Sequence, residues 1–138
     1  MTDQLTANFA RSEFACAGTN CCNHSAPVHI ELVQRLQQLR DLINTSHRSV
    51  VEHALHVNSG FRCIKHNSQT KGAAANSYHT LGLAADISCK TLSVLQLYNA
   101  ACEIFVSVGI YDGRIHVDIR DTLWHPPAHW DKRTIRGD

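Results

Sequence analysis

Apolar residues recur every three or four positions in two stretches of the chain, which is the spacing of one face of an α-helix. In residues 27–44 this face consists of Leu32, Leu36, Leu39 and Ile43. In residues 91–106 it consists of Leu95, Tyr98, Cys102 and Phe105. The pattern predicts two amphipathic helices, each with one side buried against the rest of the protein.

Shorter apolar runs and alternating positions predict strands at residues 54–58, 84–87, 110–111 and 114–120, and a short helix at residues 64–70. The last two strands are predicted to form a hairpin, because Asp112 and Gly113 between them make a favoured turn. The strands and helices do not alternate regularly, so a doubly wound parallel sheet is disfavoured. We therefore expect an α+β fold with a small antiparallel sheet and helices packed on it.

Residues 1–138 are expected to form a single domain, because no repeat, linker or low-complexity segment divides the chain. Within it, residues 1–26 are predicted to be an irregular, cysteine-containing segment. Phe9 and Phe14 are the side chains expected to anchor this segment to the core.

The net charge is +1 and the basic residues are scattered along the sequence, so the sequence indicates no basic patch that would bind nucleic acid or a membrane surface. No apolar run approaches the roughly 20 residues that span a bilayer. Met1–Ala10 is polar and lacks the apolar region of a secretory signal, so synthesis in the cytoplasm is expected. We therefore expect a monomer without a nucleic-acid or membrane partner, and a metal nuclease is disfavoured.

Ten histidines and six cysteines in a chain of this length indicate metal chemistry. His79 and Asp86 are seven positions apart, which on one helix would separate them by about 10.5 Å along the axis. Gly82 lies between them and lets the chain turn. His79 on a loop and Asp86 on the following strand could then approach a single ion.

The last predicted strand alternates strictly, so that His116, Asp118 and Arg120 share the face opposite its apolar residues. With His79 and Asp86, His116 would complete a set of two histidines and one carboxylate, which is common in catalytic zinc sites. Such a set leaves a coordination position for water, whose pKa zinc lowers to about 7. Each side chain also fits an ordinary surface, turn or hydrogen-bonded position, so spacing alone leaves their convergence open.

Five short elements follow one another along the chain: Ser59-Gly60-Phe61-Arg62-Cys63, His66-Asn67, Gly72-Ala73, Ser77-x-His79-x-x-Gly82-x-Ala84-x-Asp86 and His116-Val117-Asp118. In residue type, order and spacing they resemble the M15 zinc D-Ala-D-Ala carboxypeptidases and endopeptidases, in particular the phage and prophage type. The resemblance runs from about Phe9 to Asp121. The element that contains His79 and Asp86 is its most specific part.

The resemblance implies a fold shared with lysostaphin-type peptidases and the hedgehog signalling domain. It implies one zinc ion bound by His79, Asp86 and His116, and hydrolysis of peptidoglycan stem peptides, commonly beside a D-amino acid. It also implies a catalytic and substrate-binding role for Arg62, whose planar guanidinium suits a carboxylate or carbonyl oxygen. A structural ion pair is the alternative for Arg62. Ser77 would bind substrate, steady His79 or serve only as a turn residue.

The general base is the point at which this chain departs from part of the M15 pattern. Some members have Glu or Asp where this chain has Gly113, and others have His where it has Arg114. Asp118 is the leading substitute because it shares the strand face of His116, but it could equally orient that histidine. Asp112, on the adjacent turn, is the second candidate.

Cys16, Cys21 and Cys22 with His24 form a second candidate metal group. Their spacing differs from a Cys-x-x-Cys zinc knuckle, so buried thiols or a late disulfide are favoured over a structural zinc ion. The other cysteines lie in apolar contexts and are predicted to be small core residues: Cys63, Cys89 and Cys102.

The C-terminal tail carries two tryptophans and two histidines without clear periodicity: Trp124, Trp130, His125 and His129. His125 and His129 could line a cleft together with Trp124 or Trp130, or they could cap the fold. Capping is the favoured interpretation.

These observations predict a zinc-dependent metallopeptidase of the cell wall, either a D-Ala-type carboxypeptidase or an endopeptidase of the endolysin type. Its substrate would be reached after phage-type release. The alternative is a non-catalytic, zinc-containing module of the same fold that binds cell-wall peptide or a protein partner. Gly113, at the position of the usual base, favours this alternative.

Overall fold

The computed structural model describes residues 3–74 and 76–134, and within them the chain forms three α-helices and a five-stranded sheet. The helices are α1 (Ile30–Ser46), α2 (Ile64–Gln69) and α3 (Val94–Ala101). The strands are β1 (His56–Ser59), β2 (Ala84–Ser88), β3 (Ser107–Ile110), β4 (Ile115–Asp118) and β5 (His129–Asp131). Short 3₁₀ helices occupy Arg11–Phe14, Tyr78–Leu81 and Arg120–Leu123. The chain therefore has the predicted α+β class.

Both amphipathic helices are present but begin later than their apolar patterns indicate. The side chain of His29 caps α1 by accepting a hydrogen bond from a backbone N–H of its first turn. α3 begins after Ser93, which forms a reciprocal capping box with Gln96. It also ends early, at Ala101, but the N–H of Phe105 bonds back to the Ala101 carbonyl. Phe105 therefore stays buried beyond the end of the helix.

The sheet has the strand order β1-β2-β4-β3-β5. The predicted hairpin is formed by β3 and β4, and all neighbouring strands are antiparallel except β3 and β5, which are parallel. The sheet is therefore mixed rather than purely antiparallel. The parallel strand β5 is not predicted from the sequence, because three residues without alternation carry no strand signal.

Apolar side chains from α1, α3 and the sheet form one core cluster. The predicted stripe of α1 is fully buried. Phe9 and Phe14 bring the N-terminal segment into the same cluster, with ring centroids 6.2 Å apart. In the part of the chain that the structure describes, no helix is both long and apolar enough to cross a lipid bilayer.

The register of β2 and β3 on β4 determines which polar side chains meet. On one side of β4, Asp86 lies opposite His116 and Ala84 lies opposite Asp118. On the other side, Gly109 of β3 lies opposite His116. The middle strand therefore presents its histidine between a carboxylate and a position without a side chain.

A tight turn brings His79 towards β2. His79 lies in the 3₁₀ helix Tyr78–Leu81, which ends at Gly82 with a left-handed φ of 71°. Glycine adopts this conformation without strain. A Cβ atom at position 82 would also lie 2.5 Å from the carbonyl oxygen of Pro27. The predicted turn at Gly82 is thus present, and glycine is needed there for two independent reasons.

Candidate metal centre and its cleft

The three side chains predicted to bind metal, His79, Asp86 and His116, are brought together by the fold. Oδ1 of Asp86 lies 3.3 Å from Nε2 of His79 and 3.1 Å from Nδ1 of His116. The three atoms that could bind a metal all lie within 4.8 Å of one another. In a tetrahedral site with bonds of about 2.0–2.1 Å, ligand atoms lie about 3.4 Å apart. The spacing of the three side chains therefore fits one zinc ion.

His79 is almost fully buried and is oriented by the backbone. Its Nδ1 atom lies 2.8 Å from the carbonyl oxygen of Gly60. Because a carbonyl oxygen only accepts, Nδ1 donates, and Nε2 presents its lone pair towards Asp86. The backbone N–H of His79 donates to the hydroxyl of Ser77 over 3.2 Å. Ser77 therefore steadies the turn that carries the histidine.

His116 is oriented by Asp118, a side chain with no exposed surface. Nε2 of His116 lies 2.8 Å from Oδ2 of Asp118. Both carboxylate oxygens also accept from the Arg120 guanidinium, at 2.9 and 2.7 Å, and the backbone N–H of Arg120 adds a bond of 3.0 Å. An ionised carboxylate only accepts, so Nε2 carries a proton and Nδ1 faces Asp86.

The carboxylates of the centre are held in their ionised form. Burial raises the pKa of Asp118, but hydrogen bonds from Arg120 and His116 outweigh it and lower that pKa to about 2. Burial likewise opposes ionisation of Asp86, whereas its interactions with His116 and His79 bring its pKa well below its usual range. Two imidazoles flanking an ionised carboxylate form a donor set suited to a divalent cation.

The geometry separates the two roles considered for Asp118. Its oxygens are occupied by His116 and Arg120, and its side chain is enclosed by the protein. Asp112 points elsewhere, because its carboxylate accepts from the backbone N–H and the hydroxyl of Thr134 at 3.0 and 2.7 Å. These contacts favour the orienting role for Asp118 over that of a general base.

Arg62 lies beside the metal centre and is half-buried. Its Nη2 atom donates to Ser77 over 3.2 Å. Its Nε atom is buried and has no hydrogen-bond partner in residues 3–74 and 76–134. Burial lowers the pKa of Arg62, and Asp86 acts in the opposite direction. Within the described residues, no ion pair engages this guanidinium, so donors remain for a ligand in the cleft.

Comparison with known proteins adds to this geometry. A family model described as Peptidase M15 matches residues 7–119. The chain belongs to the peptidase M15 family. Peptidases of this family are in general zinc-dependent, and the matched region contains His79, Asp86 and His116. No curated protein gives a match.

The cleft of this M15 peptidase has a volume of about 600 Å³ and is rich in basic side chains. Those that line it are Arg62, Lys71, Arg114, Arg120 and Lys132. Asp86 is the one acidic residue among the described residues of its lining. Arg120 is paired with Asp118, whereas no ion pair with another described residue involves Lys71, Arg114 or Lys132. The cleft therefore favours an anionic ligand.

Trp130 on β5 lines the cleft. Its ring centroid lies 5.2 Å from that of His116. Its indole N–H donates to the Tyr111 hydroxyl over 2.8 Å. Gly109 on the neighbouring strand leaves the space that the ring occupies, because a Cβ there would overlap the indole. A glycine inside a strand was the available signal for such a close approach.

The two tail histidines, His125 and His129, are not among the residues that line the cleft. The rings of His125 and His129 meet the hydroxyls of Tyr78 and Tyr98 at 2.8 and 3.2 Å. These bonds tie the tail to the domain, as the capping interpretation expects. Trp124 is 95% exposed and neither caps the core nor lines the cleft.

A second candidate metal group is present, but its members differ from the predicted ones. The Sγ atoms of Cys16, Cys21, Cys22 and Cys63 lie within 4.8 Å of one another. His24 is not among them, and its Nδ1 atom lies 2.8 Å from the carbonyl oxygen of Cys16. The prediction of Cys63 as a small core residue is wrong: its thiol joins three others from the N-terminal segment. All six cysteines are free thiols in this structure.

Proposed function

We propose that this M15 peptidase uses one zinc ion to hydrolyse peptide bonds in the stem peptides of peptidoglycan. The observation that supports the proposal is the convergence of His79, Asp86 and His116, with each ring fixed so that one nitrogen faces the carboxylate. Zinc in such a set acts as a Lewis acid and lowers the pKa of water to about 7. Asp118 and the carbonyl of Gly60 would act as positioning groups, each holding one histidine ring in its ligating orientation.

Arg62 is proposed to bind the substrate beside this centre. Ser77 holds one end of its guanidinium, and the buried Nε has no partner in the described chain. A planar guanidinium matches a carboxylate, and it also stabilises charge that develops on a carbonyl oxygen. Leaving Nε unpaired is unfavourable without a ligand, so substrate binding would remove that penalty.

We further propose that the favoured substrate carries a carboxylate close to the bond that is cleaved. The supporting observation is the excess of basic side chains in the cleft, of which Lys71, Arg114 and Lys132 have no acidic partner in the described residues. The terminal carboxylate of a D-Ala-D-Ala stem would meet this charge. That favours a D-Ala-type carboxypeptidase over an endopeptidase acting on an internal bond.

A non-catalytic module that binds cell-wall peptide remains the second candidate. Asp118 is enclosed, Asp112 is bonded to Thr134, and Gly113 carries no side chain. Among the described residues that line the cleft, Asp86 is therefore the one carboxylate, and it belongs to the ligand set. The absence of a second carboxylate from this lining supports a module that binds without hydrolysis.

Digestion of purified muropeptides, followed by mass spectrometry, tests the proposal. A carboxypeptidase would release one D-alanine from a pentapeptide stem, whereas an endopeptidase would split cross-linked dimers. His116→Ala should lose product formation, while His56→Ala, which removes an exposed histidine from β1, should retain it. A chelator should stop the reaction and added zinc should restore it.

Two outcomes would count against the proposal. Full product formation by the folded His116→Ala variant would exclude this centre as the site of hydrolysis. Wild-type protein that sediments with peptidoglycan but releases no product, even with added zinc, would support the non-catalytic module instead.

A further inference from the structure

The four thiols of Cys16, Cys21, Cys22 and Cys63, called here the thiol cluster, lie outside the set of His79, Asp86 and His116. We propose that the thiol cluster binds one zinc ion through its four sulfur atoms. Three of the cysteines come from the N-terminal segment, and the fourth directly precedes α2. A site of this type would be structural, because four protein ligands leave no position for water or substrate.

The sulfur–sulfur distances fit a tetrahedral metal site. Sγ of Cys21 lies 3.9 Å from Sγ of both Cys16 and Cys22, and Sγ of Cys16 lies 4.0 Å from that of Cys63. With zinc–sulfur bonds of about 2.3 Å, ligand atoms of a tetrahedral site lie about 3.8 Å apart. A disulfide would need two sulfur atoms at about 2.05 Å. The distances therefore match four ligands around one ion.

The chain around the thiol cluster is shaped to the sulfur atoms. The backbone N–H of His66 donates to Sγ of Cys63 over 3.4 Å, which is the kind of bond that stabilises a thiolate. A Cβ atom at Gly18 would lie 2.8 Å from both Sγ of Cys21 and the ring of His66. Glycine at this position lets the chain pass close to the sulfur atoms without entering the cluster.

The two remaining cysteines behave differently. Sγ of Cys89 lies 3.4 Å from the hydroxyl of Thr91, and Sγ of Cys102 lies 3.9 Å from Nδ1 of His129. Neither contacts another thiol within the described residues. The convergence of the other four is therefore specific to one place in the fold, and Cys89 provides a matched control.

The thiol cluster would join the N-terminal segment to the segment that supports the metal centre. Cys63 directly follows Arg62 in the chain. The backbone N–H of Phe61 donates to the carbonyl oxygen of Phe14, and the carbonyl of Gly60 orients His79. An ion bound to all four sulfur atoms would hold residues 16–22 against this support.

The zinc content of purified variants, measured by elemental analysis under reducing conditions, tests the proposal. The His79→Ala/His116→Ala double variant removes two ligands of the other centre and should retain about one zinc ion per chain. That ion should be released by a mercurial thiol reagent. Cys21→Ser in this background should lose the ion, whereas Cys89→Ser should keep it.

Cobalt substitution gives a second readout that does not depend on hydrolysis. Cobalt bound to the double variant should show the intense thiolate-to-metal charge-transfer absorption of a four-sulfur site. A folded double variant that binds neither zinc nor cobalt, or that contains a Cys16–Cys21 disulfide under the same reducing conditions, would overturn the proposal. Should Cys21→Ser fail to fold, the zinc content and the cobalt spectrum of the double variant still decide whether the thiol cluster binds a metal ion. Loss of peptidase activity alone would bear only on the proposed function.

Discussion

Nε2 of His116 lies 2.8 Å from Oδ2 of Asp118, and this contact fixes which nitrogen of the ring faces Asp86. Asp118 has no exposed surface and holds both of its oxygens against Arg120. Asp118 therefore orients the ring of His116, and its own side chain does not line the cleft where a substrate would lie.

Asp118→Asn should weaken zinc binding at the centre of His79, Asp86 and His116. Asparagine replaces one of the two acceptor oxygens with an N–H donor, so His116 and Arg120 cannot both keep their bonds to this side chain. Loss of such a partner of a ligating histidine reduces metal affinity by about 10–100-fold. Competition with a chelator would measure this loss, and excess zinc should restore part of the peptidase activity. Asp112→Asn, which removes a carboxylate bonded to Thr134, should leave both quantities unchanged.

The opposite pattern would assign Asp118 the other role considered for it. A general base is needed for proton transfer and not for metal binding, and its loss costs about 10²–10⁴-fold in rate. Unchanged zinc affinity in Asp118→Asn, together with a loss of activity that added zinc does not restore, would therefore identify Asp118 as the base.

The sequence predicts the metal centre better than it predicts how that centre is supported. The turn at Gly82 and the alternation of β4 are local patterns, and they predict the element on which each of the three ligands lies: His79, Asp86 and His116. The resemblance to the M15 pattern predicts that these ligands converge on one ion. Alternation also places Asp118 on the same face as His116, but it does not say which side-chain atoms meet. Which atoms meet depends on the contact between the Arg120 guanidinium and the Asp118 carboxylate. No periodic pattern in the sequence predicts this contact.

Contacts between distant segments account for the parts of the fold that the sequence leaves unpredicted. β5 is held by parallel pairing with β3, and its residues have neither alternation nor an apolar run. Cys63 lies beside Cys16 although 47 positions separate them in the chain. The helix α3 ends before its apolar stripe does, and the last residue of that stripe, Phe105, is buried although it lies beyond the helix. Local patterns do not encode these relationships.

Arg62→Lys should lower kcat/KM on a stem peptide by about 10²–10³-fold, the loss typical of one donor to a developing oxyanion. Lysine keeps the charge but has no planar fork, so it cannot replace both the bond to Ser77 and the donors directed at substrate. Steady-state kinetics with matched zinc content would measure the effect. Arg35→Lys, at a guanidinium paired with Glu31 and Asp121, is the control and should remain active.

An unchanged kcat/KM in Arg62→Lys would contradict a role in substrate binding. Retained activity together with reduced stability would instead support the alternative of a structural side chain for Arg62.

Amidation of the C-terminal carboxylate of a D-Ala-D-Ala peptide should reduce kcat/KM by at least about tenfold, because hydrogen bonds to charged groups contribute about 1.5–3 kcal/mol. The basic lining of the cleft would lose its anionic partner in the amide. The two peptides should be compared with the wild-type chain and with Lys132→Gln. Equal rates for acid and amide would favour an endopeptidase. A difference that is the same in Lys132→Gln would exclude Lys132 as a contact of the carboxylate.

Gly109→Ala should destabilise the protein and disturb the cleft. A Cβ atom at this position would overlap the indole of Trp130, and overpacking of this kind costs about 1–3 kcal/mol. The indole would have to move away from His116, against which it packs with centroids 5.2 Å apart. Denaturant unfolding would measure the stability loss, and we expect peptidase activity to fall with it.

A double-mutant cycle separates this overlap from a general effect of alanine in β3. In a Trp130→Ala background the ring is gone, so Gly109→Ala should cost much less free energy of unfolding than it does in the wild-type chain. Equal costs in the two backgrounds would show that Gly109 is needed for a reason other than the indole. The difference between the two losses of unfolding free energy therefore measures the coupling between Gly109 and Trp130. This coupling is the contribution that β5, which the sequence did not predict, makes to the wall of the cleft.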